Sequence, residues 1–130
     1  DLQEKVASAM ENEGFKVLNP EKYGAIFKQA EKLAHKGRKA LEEFDLQKVG
    51  ELMNENHRLL QEIEVSCKEL DYLVDLARKQ GAFGAKLTGG GGGGCMVALT
   101  PGKDLQEKVA SAMENEGFKV LRTKIGVQKL

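Results

Sequence analysis

The residues best placed to do chemistry are Thr88 and the glycines behind it. Six consecutive glycines, Gly89 to Gly94, separate the short apolar run Ala85-Lys86-Leu87 from Cys95-Met96-Val97-Ala98-Leu99. Both flanks carry strand-forming residues bounded by breakers, which predicts strand, loop, strand. Glycine has no Cβ and tolerates positive φ, so such a loop can fold tightly and let a ligand approach the backbone. Its N–H groups can line a concave anion site, and Thr88 adds a hydroxyl at the entrance. A glycine run by composition alone also reads as a flexible linker. The flanks Lys86-Leu87-Thr88 and Cys95 to Leu99 are not linker residues. Nor is this the phosphate loop of nucleotidases, which needs Gly-Lys-Ser/Thr and then a helix.

Read from Gly84 to Cys95, the stretch Gly-Ala-Lys-Leu-Thr-Gly-Gly-Gly-Gly-Gly-Gly-Cys resembles the C-terminal glycine motif of the GHMP kinase family, in its archaeal-type mevalonate kinase branch. Gly90 stands where that family usually has Ala. Upstream, Asn54-Glu-Asn-His57 with Leu59-Leu60, then Val65-Ser66 and Leu70-Asp71, are similar to the same branch, with Glu64 where Gly is common. The resemblance runs from about Asn19 to Val127. It implies an α+β, ferredoxin-like sandwich: an antiparallel sheet with helices on one face and an enlarged helical crossover. It also implies a cytoplasmic parent enzyme of isoprenoid biosynthesis, a phosphotransferase using ATP and magnesium. Lys86, Thr88, Gly89, Gly90, Gly91, Gly92, Gly93 and Gly94 would then wall part of a nucleotide and substrate pocket.

The totals bound the rest. The chain has 130 residues, enough for one domain with a real core. A charged fraction of 31% and a hydrophobic fraction of 41% describe a soluble globular chain. Twenty basic and twenty acidic residues cancel, so no net field favours nucleic acid or an anionic membrane. No apolar run approaches a membrane span, and no signal peptide is expected. Two cysteines, Cys67 and Cys95, make no disulfide framework and read as small apolar residues. With His35 and His57 they lie at unrelated spacings, and no metal site is expected.

The elements that position the glycine run follow from periodicity. Residues Asp1 to Leu18, DLQEKVASAMENEGFKVL, recur letter for letter at Asp104 to Leu121. Natural repeats drift, and a solenoid needs several stacked repeats rather than two copies at opposite ends. The identity therefore points to engineering, with residues 1–18 the added copy, since the resemblance places the segment after the glycine motif. Locally the segment reads as a helix, capped by Asp1 or Asp104 and carrying Leu2, Val6, Ala9 and Met10 on one face. Gly14 or Gly117 stops it, and a strand follows. In copy two that strand runs from Phe118 to Thr123, with Ile125 to Leu130 fraying. In copy one it meets Asn19-Pro20, and the helix can instead continue through Phe15 and Leu18.

Pro20 opens a helix whose stripe Tyr23, Ile26, Phe27, Ala30, Leu33, Ala34, Ala40, Leu41 and Phe44 is expected in the core. Asp45 caps a second helix through about Ile63. Ser66 and Glu69 have capping-box spacing for a third that runs to Lys79 or Gln80, and Gly81 ends it. Cys95 to Leu99, apolar at both parities, is expected to be well buried. On the second helix Glu51, Asn54, Asn56 and His57 invite a site reading. His57, between Leu52 and Leu60, reads first as a satisfied structural histidine, and the resemblance places its neighbours near an interdomain pocket.

A GHMP kinase also needs an N-terminal domain with the main ATP loop, an acidic magnesium ligand and a base, and no such constellation stands in this sequence. Phosphoryl transfer needs several such parts at once. The chain is thus expected to be a scaffold or partial ligand-binding domain: not an enzyme by itself, with no cofactor of its own and no catalytic residue. The other expectation is a conformational or assembly device in which the duplicate segments compete for one site. Its partner would be a second copy, through swapping of residues 1–18 or 104–121. Residual phosphorylation of mevalonate by the chain alone is the weakest reading.

Overall fold

The computed structural model describes residues 20–88 and 94–124. The expectations for Asp1 to Leu18, for Gly89 to Gly93 and for Ile125 to Leu130 lie outside the described residues.

Three helices come first: α1 (Pro20–Glu42), α2 (Leu46–Glu62) and α3 (Lys68–Lys79). Pro20 opens α1, as its fixed φ predicts. The Asp45 carboxylate caps α2 by accepting from the Lys48 N–H at 3.1 Å. The capping box at α3 does not form. Ser66 Oγ donates instead to Asp71 Oδ1 at 2.7 Å, and Cys67 occupies the N-cap without a side-chain bond. Gly81, at φ +107°, ends α3 in a conformation that disfavours any side chain.

Two strands follow, β1 (Gly84–Thr88) and β2 (Cys95–Leu99), then α4 (Lys103–Asn115). The strands pair antiparallel, with Ala85 opposite Ala98, Leu87 opposite Met96 and Thr88 opposite Cys95. Helix α4 starts one residue ahead of Asp104, with Gly102 rather than Asp104 at its N-cap. Gly117, at φ +89°, ends it as expected.

Two-residue periodicity sorts the hairpin into faces. Ala85 and Leu87 are buried, and Ala85, Met96 and Ala98 pack with Leu73, Val74 and Ala77 of α3 and Val109 and Met113 of α4. Lys86, Thr88, Cys95 and Val97 lie on the other face. This corrects two expectations. Strand β2 is not well buried, because among the described residues helices cover only one of its faces: Cys95 is exposed and Val97 is 36% exposed. Cys95 is therefore not a packed apolar residue either.

The closing strand over Phe118 to Thr123 is also absent. A strand needs a neighbour to complete its ladder. In a ferredoxin-like order that neighbour is a strand ahead of the helices, and none stands among the described residues. The segment runs back along α4 instead. Phe118 and Val120 pack against the core, and Gln106 Nε2 donates to Thr123 O at 3.1 Å. Arg122 forks between Glu107 and Glu114, with contacts of 2.9 and 2.7 Å.

The stripe of α1 is only half core. Ile26 and Ala40 are buried, but Phe27 is 46%, Leu41 52% and Phe44 85% exposed, and Ala34 is exposed as well. The apolar arc is wider than the surface α2 offers, and Phe44 stands beyond the helix end at φ +55°.

Candidate functional site

The candidate site is built on β1, which delivers Lys86 and Thr88 to the start of the glycine run. Why β1 sits where it does is a matter of its outer edge, the one turned away from β2. A strand edge carries free N–H and C=O groups that must find partners when buried. Here the partners are helix side chains. Ala85 N–H donates to Asn54 Oδ1 at 2.9 Å. Leu87 N–H donates to His57 Nδ1 at 3.0 Å. Ala85 O accepts from Arg78 Nη2 at 3.0 Å. Asn54 and His57 are three residues apart on α2, and therefore neighbours on one helix face. Ala85 and Leu87 are two apart on β1, so their N–H groups point to one edge. The two spacings match, and α2 lies along the strand as a substitute partner.

His57 is 1% exposed, and both ring nitrogens are engaged. Nδ1 accepts from Leu87, so the ring proton sits on Nε2 and is donated to Asp71 Oδ1 at 2.9 Å. Asp71 also takes the Ser66 hydroxyl. Burial pushes the Asp71 carboxyl up, but hydrogen bonds from Ser66, His57 and Gln61 outweigh it and hold it below the ordinary carboxylate range. The chain Ser66–Asp71–His57–Leu87 thus runs from the N-terminus of α3 across α2 to β1. Its geometry is structural: Ser66 is bonded to the carboxylate and not to the imidazole, so no nucleophile is activated.

The residues picked out by sequence divide accordingly. Asn54 and His57 come together on the β1 edge. Glu51 lies apart on the surface, 3.8 Å from Lys48. Lys86 is half-buried on the open face, opposite Val97, where burial lowers its ammonium below the ordinary lysine range. Thr88 is exposed beside Cys95, and Gly94 is exposed just ahead of β2. Gly89 to Gly93 lie outside the described residues. The strand therefore brings Lys86 and Thr88 to the open side of the hairpin, next to both ends of the glycine run. Among the described residues no three His, Cys, Asp or Glu side chains gather as a metal site, and no helix is long and apolar enough to cross a membrane.

Sequence reasoning missed the parts played by Asn54, Arg78 and Asp71. The only signal available was the spacing of Asn54 and His57 against the strand period.

Comparisons with known proteins identify the family. Residues 38–120 match the family model described as GHMP kinases C terminal. The mevalonate kinase of Pyrococcus abyssi is 46% identical over 116 residues, 85% of this chain and 34% of that protein. The crystal structure of the mevalonate kinase of L. major in complex with R-mevalonate superposes with a TM-score of 0.74 at 32% identity, covering 88% of this chain and 32% of that one. For the Methanococcus jannaschii mevalonate kinase the TM-score is 0.61 at 31% identity, covering 84% and 32%. The chain spans about a third of the length of these relatives.

Proposed function

Since the chain belongs to the GHMP kinase family through its C-terminal domain, we propose that it is the glycine-loop domain of a mevalonate kinase, without kinase activity by itself. In this reading Lys86, Thr88 and Gly89 to Gly94 wall one side of a pocket for ATP and mevalonate. The hairpin belongs to a ferredoxin-like sheet whose further strands lie beside β2. The observation that carries the reading is the pinned edge of β1. Asn54, His57 and Arg78 hold that strand by its backbone, which fixes Lys86 and Thr88 at the mouth of the glycine run before any ligand arrives. Such preorganisation is what a loop cradling phosphate oxygens requires. Magnesium and a base for the mevalonate hydroxyl would come from residues outside this sequence.

The test is a coupled assay for magnesium-dependent ADP release from ATP and mevalonate by the chain alone. No turnover is expected above a control lacking Gly89 to Gly94, and turnover above it would overturn the reading of an incomplete site. Titration with ATP followed at the Thr88 and Gly94 amides should give weak, non-saturating shifts. Saturation at micromolar ATP would show a site complete within this chain.

The letter-for-letter repeat of residues 1–18 at 104–121 favours a second reading of the chain as an engineered assembly, with a second copy as partner through swapped segments. Size-exclusion chromatography across concentration decides it: one monomer peak throughout counts against swapping.

A further inference from the structure

Two groups ask opposite things of the His57 ring. The Leu87 N–H needs an acceptor and reaches Nδ1 at 3.0 Å. Asp71 Oδ1 needs a donor and reaches Nε2 at 2.9 Å. A neutral imidazole offers one nitrogen of each kind. In the other tautomer an Nδ1 proton would face the Leu87 proton, and a bare Nε2 would face a carboxylate oxygen. Only the Nε2–H form satisfies both ends.

The two ends differ in their surroundings. The His57 side chain is 2% exposed and that of Asp71 is 39% exposed, while Leu87 is buried. Asp71 is thus the end of this chain of bonds that solvent reaches, and the strand amide is the end inside. Ser66 Oγ and the Gln61 side chain also bond the carboxylate, so its place does not depend on the imidazole alone. Which ring nitrogen of a histidine carries the proton is set by the bond that the other nitrogen makes. Ala85, two residues earlier on the same strand edge, supplies an internal comparison. Its N–H is held by Asn54 and its carbonyl by Arg78, and among the described residues neither side chain bonds to His57 or Asp71.

We propose that Asp71 is a positioning residue for the mouth of the glycine run, acting through His57. It fixes the imidazole in the form that accepts the Leu87 amide, and Leu87 sets its strand neighbours Lys86 and Thr88. The proposal rests on the reading of that mouth as a ligand site, and adds that its geometry is governed from the first turn of α3.

The experiment uses the full chain, isotope-enriched and without ligand, followed by NMR. In the parent chain His57 should carry its proton on Nε2 and show a through-hydrogen-bond coupling between Nδ1 and the Leu87 nitrogen. Asp71→Ala should abolish that coupling and shift the Thr88 amide. It should also speed hydrogen exchange at Leu87 about tenfold relative to Ala85, the change one lost hydrogen bond of ordinary strength produces. Asp71→Leu, of similar size and without an acceptor, gives the same reading if the alanine chain does not fold. Asp71→Asn keeps an Oδ1 acceptor and should restore both the coupling and the parent exchange ratio. A coupling absent from the parent, or one that survives the loss of the acceptor, overturns the proposal. Equal acceleration at Leu87 and Ala85 does so too, since Asp71 would then contribute only to overall stability, as does failure of Asp71→Asn to restore the parent pattern. No nucleotide enters these measurements, so they can fail while the turnover assay supports the kinase-domain reading, and the reverse.

Discussion

Gly84 and Gly50 touch backbone to backbone. A Cβ built on Gly84 would stand 2.2 Å from the Gly50 carbonyl oxygen, and one built on Gly50 would stand 2.2 Å from the carbonyl oxygen of Phe83. This approach lets α2 come close enough to β1 for Asn54 and His57 to reach its amides. Both contacts are to backbone, which cannot swing aside. Gly50→Ala and Gly84→Ala should therefore each cost about 3 kcal/mol, the upper end for overpacking, read as a lower urea midpoint at unchanged slope. Gly37→Ala, with open space around it, is the control and should be neutral or slightly stabilising.

Removing either edge acceptor leaves a buried amide without a partner. Ala85 is fully buried and Leu87 is 2% exposed, so Asn54→Ala and His57→Leu should each cost about 1–3 kcal/mol. Hydrogen exchange should accelerate at the Ala85 amide in the first and at the Leu87 amide in the second. Asn54→Asp keeps an oxygen acceptor and should lose less than Asn54→Ala.

The Asp71 carboxylate gives the fold an acid-sensitive component. Its folded-state pKa is depressed by hydrogen bonds from Ser66, His57 and Gln61, which outweigh the opposing effect of burial. A depressed carboxylate contributes stability that is present above its unfolded pKa of about 4 and lost as pH falls through the folded value. Thermal melts should show Asp71→Asn below the parent chain at pH 7, with the gap closing as the pH drops below about 4. A gap that stays constant with pH would remove Asp71 from the account.

The two copies of the repeat should differ in weight. Val109 is 3% exposed and Leu105 packs on the core cluster. Charges at both positions have no partner there, and burying an unpaired charge costs several kcal/mol. Leu105→Asp with Val109→Asp should thus lower the melting temperature far more than Leu2→Asp with Val6→Asp. Equal losses would mean that both copies are core elements.

Much was legible in the sequence. Pro20, Asp45, Gly81 and Gly117 marked helix ends because each acts through its own φ or its own side chain, and those are local properties. The strands flanking the glycine run were legible for the same reason, and the motif from Gly84 to Cys95 was specific enough to indicate the family. What tertiary structure decided was which partner each group found. Ser66 could have capped α3, but Asp71 lay within reach, since His57 draws that carboxylate toward α2. Phe118 to Thr123 had strand-forming residues, yet a ladder requires a second strand and the segment lay beside α4 instead. Phe27 and Leu41 shared the helical period of Ile26 and Ala40, and only the width of α2 determined which row was covered. The use of Asn54 and His57 as a stand-in strand could be read from neither helix nor strand alone, because it depends on two periods, three residues on α2 and two on β1, brought into register by the contact of Gly50 with Gly84.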